Sequence, residues 1–258
     1  MRILMIGDVV GKPGRKAVAA IVPQLRRELR LDLVIANGEN GAAGRGLTPK
    51  TADELFRAGV DVITSGNHIW DNRDIYPALQ EEAPILRPLN YPPGTPGRGL
   101  IRCGDAVVLN AIGRTFMPMA YDDPFRLIDA ALESIRPGTP IIVDFHAEAT
   151  SEKQALAWHL DGRVSAVLGT HTHVPTADAR ILPRGTAFVC DVGMVGARRS
   201  VIGDDVEAVL SRFLTAIPTR LPVAEDTEAD FFAVYVEIDS ATGRALEIRR
   251  EDRQVAIG

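Results

Sequence analysis

Short apolar runs with β-strand character alternate with amphipathic helical patterns along most of the chain. This alternation is typical of a layered α/β fold in which helices connect parallel strands. The pattern predicts strands at residues 2–7, 32–37, 60–65, 106–111, 140–145 and 164–168. Apolar spacing predicts helices at residues 17–29, 49–58, 124–135 and 151–160. Residues 231–238 and 245–250 alternate without an intervening helix, which predicts a β-hairpin.

The length of 258 residues allows a sizeable buried core, and α/β folds of this size often form one domain. We therefore expect a single domain over residues 1–258. The segment 88–99 is rich in proline and glycine, which predicts a loop, and it is the one segment whose composition would allow a linker. The content of 46% hydrophobic and 24% charged residues is that of an ordinary globular protein.

Charge and hydropathy limit the partners. A formal net charge of −5 leaves no basic surface for wrapping duplex DNA or RNA, so we expect no stable duplex partner. The N-terminal apolar run is too short for a signal peptide, and no apolar run reaches the length of a membrane span. These features predict a cytoplasmic protein without a membrane partner, and they leave homo-oligomer formation open.

Polar residues follow five of the predicted strands at the point where each apolar run ends. Parallel α/β sheets bind ligands beyond the carboxyl ends of their strands, so we expect these five loops to meet at one edge. Four of the five histidines lie there, and the fifth, His159, lies within a helical pattern as a structural or surface residue. The polar side chains are Asp8, Glu39, Asn40, Asn67, His68, His146, His171 and His173.

Carboxylate, amide and imidazole donors without cysteine suit iron, manganese or zinc in an open site rather than structural zinc. Seven or so donors are too many for one tetrahedral ion and fit two ions that share a carboxylate. Each residue also has a simpler interpretation: Asp8 and Glu39 could cap helices, Asn67 could lie in a turn, and His146 could be a buried core histidine. Coincidence at five separate strand ends is less expected than one site, so we predict two transition-metal ions.

Two nucleotide-binding motifs are incomplete. The segment from Gly7 to Pro13 has three residues between its glycines where a P-loop has four, and Pro13 stands where that loop has Ser or Thr. The glycine-rich segment 38–46 lacks the GxGxxG spacing. Neither segment therefore predicts nucleotide binding through these loops.

The order of the polar segments resembles that of the calcineurin-like metallophosphoesterases and, within them, the bacterial YmdB-like phosphodiesterases. The resemblance covers nearly the whole chain and implies a four-layer α/β/β/α sandwich. It also implies a phosphodiesterase that acts on small cyclic nucleotides, with the 2′,3′-cyclic type as the narrower expectation. The segments that carry it are Gly7-Asp8, Gly38-Glu39-Asn40, Gly66-Asn67-His68, His146 and Gly169-Thr170-His171-Thr172-His173.

The chain departs from the broad superfamily at three positions. The bridging acid is Glu39 where the superfamily has Asp. Val10 stands where the superfamily has the histidine of its DxH motif, and the resemblance implies that Asn40 replaces that ligand. Ile69 stands where an acid often follows the histidine of GNH, and Asp71 is a candidate for the missing role.

The resemblance divides the ligands between two ions that share Glu39, so that His171 and His173 each serve a different ion. It implies attack by a hydroxide held between the ions, with His68 as the general acid for the departing oxygen. Lys12 and Arg45 are candidates for contacting phosphate, although exposed basic residues are usually only solvated. The two ligand sets are Asp8, Glu39, Asn40 and His173 for one ion, and Glu39, Asn67, His146 and His171 for the other.

Two alternatives remain open. One is a phosphomonoesterase or nucleotidase that uses the same metals on a terminal phosphate. The other is a regulatory protein that binds nucleotide or RNA and keeps the metal site as a remnant. The complete ligand set and the retained His68 argue against a remnant, and the acidic balance argues against broad RNA binding.

Overall fold

Two β-sheets lie face to face between two layers of helices. The computed structural model describes residues 1–81 and 83–258. Its helices are α1 (Gly11–Leu29), α2 (Pro49–Arg57), α3 (Tyr76–Gln80), α4 (Pro124–Leu132), α5 (Thr150–Leu160) and α6 (Val206–Thr215). Its strands are β1 (Arg2–Val9), β2 (Leu33–Asn37), β3 (Val62–Thr64), β4 (Leu100–Cys103), β5 (Ala106–Ile112), β6 (Ile141–His146), β7 (Ala166–Thr170), β8 (Arg180–Ile181), β9 (Ala187–Val189), β10 (Met194–Ala197), β11 (Glu228–Phe231), β12 (Ala233–Ile238), β13 (Ala245–Arg250) and β14 (Arg253–Ala256). The four-layer α/β/β/α sandwich is therefore confirmed.

The first sheet is organised around β1. This strand pairs in parallel with β2, which in turn pairs in parallel with β3. Along its other edge it pairs with β12 as far as Ile6, and β10 takes over at Asp8. The register with β2 also shifts between Ile6 and Asp8. A Cβ at Gly7 would overlap the carbonyl of Gly193, so only glycine allows this close approach of the two chain segments. Irregular pairing of this kind re-aims a side chain, here that of Asp8.

The second sheet has the order β4-β5-β6-β7-β9-β8, in which β5, β6, β7 and β9 are parallel and the edge strands are antiparallel. Every residue of β5, β6 and β7 is buried. Parallel strands with both faces covered are continuous apolar runs, which explains why the sequence located them.

Three apolar clusters hold the layers together. In β1, Leu4 and Ile6 face the cluster under α1 and α2, whereas Ile3 and Met5 face the cluster between the sheets. This alternation follows from the two-residue period of a strand. The third cluster lies between the second sheet and the helices α4 and α5.

Several predicted boundaries differ from the structure. Helix α1 begins at Gly11 rather than at residue 17, because Pro13 lies in its first turn, where the missing N–H has no helical acceptor. The C-terminal hairpin is confirmed as β12 and β13, but β11 is a separate strand that pairs with β10 and β14. Helix α6 and strands β8 to β10 were not predicted.

The proline-rich segment 88–99 is a loop, as predicted, and it connects the two sheets. Arg87 donates its N–H to the Arg98 carbonyl at 3.0 Å, and Leu89 donates to Asn110 at 2.7 Å, so both ends are tied down. The extent of the domain over residues 1–258 stays a prediction. None of the described helices is long and apolar enough to cross a membrane.

Candidate metal centre

The predicted polar residues meet at one end of the sandwich, but they come from both sheets. Three loops belong to the first sheet, after β1, β2 and β3, and two belong to the second, after β6 and β7. The expectation of one sheet edge is therefore corrected: the site bridges the carboxyl ends of two sheets. Asp8 lies inside β1 and His146 is the last residue of β6, because both apolar runs continue to pair beyond their predicted ends.

Three of the residues contact His146 directly, and we call the four the Glu39–His146 cluster (Glu39, Asn67, His146 and His171). The Nε2 atom of His146 lies 3.0 Å from Oε1 of Glu39, 3.1 Å from Oδ1 of Asn67 and 3.0 Å from Nδ1 of His171. Donor atoms of Glu39, His146 and His171 lie within 4.8 Å of one another, and Glu39 and His146 are buried. Such convergence of N and O donors fits a transition-metal ion.

A chain of hydrogen bonds positions His146 through its Nδ1 atom. The hydroxyl of Thr170 donates to Oδ1 of Asp144 at 2.7 Å, and the hydroxyl oxygen of Thr170 lies 3.0 Å from Nδ1 of His146. It can therefore accept the Nδ1 proton, which leaves Nε2 to bind a metal. A Cβ at Gly66 would overlap the ring of His146, so the loop after β3 needs glycine there. Asp144 and Thr170 were not assigned from sequence, although Asp144 shares a strand face with His146.

Burial and neighbouring charges shift the pKa values of the titratable residues in this cluster. Burial opposes ionisation of Glu39, but the adjacent His146 outweighs it and holds the pKa of Glu39 at about 2. Burial likewise opposes the charge of His146, but Glu39 and Asp8 raise its pKa to about 9. Burial and the charge of His146 lower the pKa of His171 to about 3. At pH 7 His171 is thus a neutral donor and Glu39 is an anion, whereas His146 is protonated, and a metal ion would take the place of that proton.

The other three predicted ligands form the Asp8–His173 cluster (Asp8, Asn40 and His173). Oδ1 of Asp8 lies 4.0 Å from Nε2 of His173. The Nδ1–H of His173 donates to the Ile202 carbonyl at 2.7 Å, so Nε2 keeps its lone pair. Oδ1 of Asp8 and Oδ1 of Asn40 are buried, and neither has a hydrogen-bond partner among the described residues. Buried acceptors without donors are costly, and a cation would satisfy both, so these residues fit a metal ion.

The loop that carries both histidines has an uncommon backbone. His171 and His173 have φ angles of 102° and 65°, a region that residues other than glycine rarely adopt. Asp8 accepts the N–H of His171 at 3.1 Å, and Asp191 accepts that of Thr172 at 3.1 Å. Strained residues of this kind persist where the surroundings over-determine them, typically at functional sites.

Asp191 is in turn held by Lys153, whose Nζ lies 2.7 Å from Oδ2, and both side chains are buried. The sequence showed no signal for this pair, because a lysine in an amphipathic helix is usually solvated.

His68 lies beside the Glu39–His146 cluster and is not one of its members. Its backbone N–H donates to Oε2 of Glu39 at 2.9 Å. Its Nδ1 lies 2.8 Å from Oδ2 of Asp71, and a carboxylate partner there places the proton on Nδ1. Asp71 therefore orients His68. Glu148, which was not predicted, lies 3.1 Å from Nε2 of His171 through its carboxylate.

A cleft of about 350 Å³ opens over the two clusters. Arg45 lines this cleft, whereas Lys12 lines a neighbouring groove. His159 lies elsewhere on the surface, 2.9 Å from a carboxylate oxygen of Asp129, in line with its interpretation as a surface residue. The predicted site residues in the lining are Glu39, Asn40, His68, His171 and His173.

The model of the YmdB-like protein family matches residues 4–250. The chain belongs to the YmdB-like family. A 2′,3′-cyclic-nucleotide 2′-phosphodiesterase from Bacillus subtilis (strain 168) is 48% identical to this YmdB-like chain over 255 residues, which cover 97% of this chain and 96% of that protein.

Two crystal structures share the fold of this YmdB-like protein. One, described as a hypothetical protein from Thermus thermophilus, has a TM-score of 0.92 at 48% identity and covers 98% of this chain and 99% of that one. The other, described as a novel phosphatase from Mycoplasma pneumoniae, has a TM-score of 0.92 at 34% identity and covers 98% and 93% of the two chains. The resemblance to metallophosphoesterases is confirmed, and this YmdB-like protein is a phosphoric ester hydrolase of a family that uses divalent metal ions.

Proposed function

We propose that the chain hydrolyses 2′,3′-cyclic nucleotides at a binuclear metal centre, with His68 as the general acid. The observation that carries this proposal is the meeting of residues of two donor clusters at one cleft, whose lining also includes His68. The activity in the name of the B. subtilis relative supports the substrate class.

The ligands divide between two ions. Asn67, His146 and His171 would hold one, Asp8, Asn40 and His173 would hold the other, and Glu39 would bridge them. Their N and O donors suit iron, manganese or zinc. The Thr170–Asp144 chain supports this assignment because it keeps the proton on the far nitrogen of His146.

Bound ions would supply positive charge that lowers the pKa of water and stabilises the phosphoryl oxygens. His68 supplies the proton for the leaving group. Its Nε2–H, when the ring is protonated, donates to the departing O2′, and Asp71 stabilises the imidazolium through Nδ1. Water adds to phosphorus, the P–O2′ bond breaks, and the product is a 3′-nucleotide.

A phosphomonoesterase is the second candidate, because a structural neighbour is described as a phosphatase. The deciding experiment uses protein reconstituted with iron, manganese or zinc. It compares hydrolysis of 2′,3′-cyclic nucleotides, 3′,5′-cyclic nucleotides and nucleoside monophosphates. We expect the 2′,3′-cyclic substrates to react fastest and to give 3′-nucleotides.

Turnover of monophosphates alone would establish the phosphomonoesterase instead. Metal binding without turnover of any substrate would favour the binding protein. A cytoplasmic location and the oligomeric state stay predictions.

A further inference from the structure

A larger cavity opens beside the metal centre. Its volume is about 750 Å³, within the roughly 300–1,000 Å³ of small-molecule sites. It shares Gly44, Arg45 and Asp204 with the cleft over the metal clusters, so the two cavities adjoin. We call it the basic groove. A ligand bound in the cleft can therefore extend into it.

The lining of the basic groove carries more positive than negative charge. Three of its basic residues, Lys12, Arg212 and Arg220, lie outside the cleft, and Arg45 stands at the border. Among the described residues, none of these four has an ion-pair partner. The full charged lining comprises Lys12, Lys16, Arg45, Arg212 and Arg220 against Asp204, Glu225 and Asp226.

Some of these charges are already engaged. Asp226 is bound by Arg199, at 3.2 Å, and Lys16 donates to the carbonyl of Ile257 at 2.9 Å. Arg45, Lys12, Arg212 and Arg220 are exposed and keep their hydrogen-bond donors for a ligand. The groove therefore favours an anion.

The wall of the groove is built by packed backbone rather than by side chains alone. Asp205 donates its N–H to Pro222, and Ala224 donates to Gly203, each at 2.9 Å. The side chain of Val223 packs against Gly11 and Gly44, where an added Cβ would lie 2.8 and 2.7 Å from its methyl groups. Both glycines have positive φ, a conformation that glycine adopts without strain, and Gly44 and Val223 line the groove.

We propose that the basic groove binds the phosphodiester backbone on the 5′ side of an RNA end whose 2′,3′-cyclic phosphate lies at the metal centre. This rests on the proposed function. A cyclic mononucleotide has one negative charge, on the phosphate that lies at the metal clusters. It therefore offers no anionic group to the basic residues of the groove. A nucleotide on the 5′ side brings a second phosphate to them, where charge-assisted hydrogen bonds form.

The experiment compares kcat/KM for three substrates: 2′,3′-cyclic AMP, its 5′-phosphorylated form, and an ApA dinucleotide that ends in a 2′,3′-cyclic phosphate. We expect the dinucleotide to have the highest kcat/KM, through a lower KM that rises with salt. The double variant Lys12→Gln/Arg220→Gln should lower the ratio of dinucleotide to mononucleotide kcat/KM by about tenfold, the effect of losing a charge-assisted hydrogen bond. The matched control is Arg27→Gln, an exposed arginine about 20 Å along α1 from Lys12, which should leave the ratio unchanged.

Equal kcat/KM on the three substrates, or an unchanged ratio in the double variant, would overturn the groove as a phosphate site. If the 5′-phosphorylated mononucleotide matches the dinucleotide, the groove takes the phosphate of a free nucleotide, and the RNA end is wrong. Equilibrium binding of ApA 3′-phosphate to the wild type and the double variant separates the two proposals. A weaker affinity in the variant supports the groove even if no cyclic substrate is turned over, which would reject the proposed function alone.

Discussion

In the Glu39–His146 cluster the donor atoms lie about as close as hydrogen-bonded atoms, whereas in the Asp8–His173 cluster they are farther apart. His146 has three donors within 3.1 Å of its Nε2, but His173 and Asp8 are separated by 4.0 Å. The first cluster is ordered by side-chain contacts. In the second cluster, Asn40 and His173 are positioned by hydrogen bonds that their side chains donate to the backbone carbonyls of Gly44 and Ile202.

If the proposed binuclear centre forms, this difference predicts that its two ions bind with unequal affinity. A ligand set that is already in place gives up less conformational freedom when an ion binds. We therefore expect the ion at the Glu39–His146 cluster to be removed last by a chelator. Metal content measured during timed chelation should fall in two steps, and simultaneous loss of both ions would show that the clusters act as one.

The largest effect should come from Glu39→Gln, which changes the residue proposed to bridge the two ions. We expect the loss of both ions and a fall in activity beyond the about 10- to 100-fold that follows from disturbing only the support of a ligand. Elemental analysis and hydrolysis of 2′,3′-cyclic AMP check this. If one ion remains at full occupancy, Glu39 is not the bridge.

Asp8→Asn should affect only the ion at the Asp8–His173 cluster. Asn keeps the shape and an oxygen acceptor but loses the charge that lies 4.0 Å from Nε2 of His173. We expect the Asp8–His173 ion to be lost and the other retained, so that metal content halves. Equal depletion in this variant and in Glu39→Gln would contradict the division into two clusters.

His68→Ala should leave both ions in place and lower turnover of cyclic nucleotides by about 10²- to 10⁴-fold, the usual contribution of a general acid. The variant keeps the backbone N–H that holds Glu39. Bis-p-nitrophenyl phosphate has a good leaving group and should react at a rate much closer to wild type. Loss of metal, or equal losses on both substrates, would reject the role of His68 as an acid.

Thr170→Val should have the smallest effect. It keeps the side-chain shape but removes the hydroxyl between His146 and Asp144. We expect a roughly 10- to 100-fold weaker affinity at the Glu39–His146 cluster, the size expected for a supporting residue, and an unchanged Asp8–His173 ion. Competitive chelator titration measures both affinities, and weakening of the second ion alone would reverse the assignment.

The fold and the convergence of the candidate ligands were largely predictable from sequence because both depend on local signals. Buried parallel strands are continuous apolar runs, and the polar residues that follow Asn37, Thr64 and Thr170 mark where those runs end. Helix α6 was missed although Asp205 caps it, accepting from Ala208 at 2.9 Å. Its short apolar pattern buries one residue, Val209, so the periodicity is weak evidence of a helix.

The residues that position the candidate ligands through hydrogen bonds could not be predicted. Lys153 and Asp191 are 38 positions apart and meet only because α5 packs against the second sheet. Asp144 and Thr170 lie on neighbouring strands, and their contact depends on the β6–β7 register, in which Asp144 is opposite Leu168. Pairings of this kind depend on packing between elements, which a single sequence does not encode in any short pattern.

The origin of the site in two sheets also bears on how the protein unfolds. Asp8 and Glu39 come from one sheet and His146 from the other, so separation of the sheets removes the ligands from one another. The unfolded chain has no such arrangement, and an ion that binds only the native form adds to the free energy of unfolding. At a concentration 100 times the dissociation constant, this addition is about 2.7 kcal/mol per ion. Bound ions would therefore stabilise the packing of the two sheets against each other. The melting temperature would rise with metal occupancy and would measure that occupancy without any substrate.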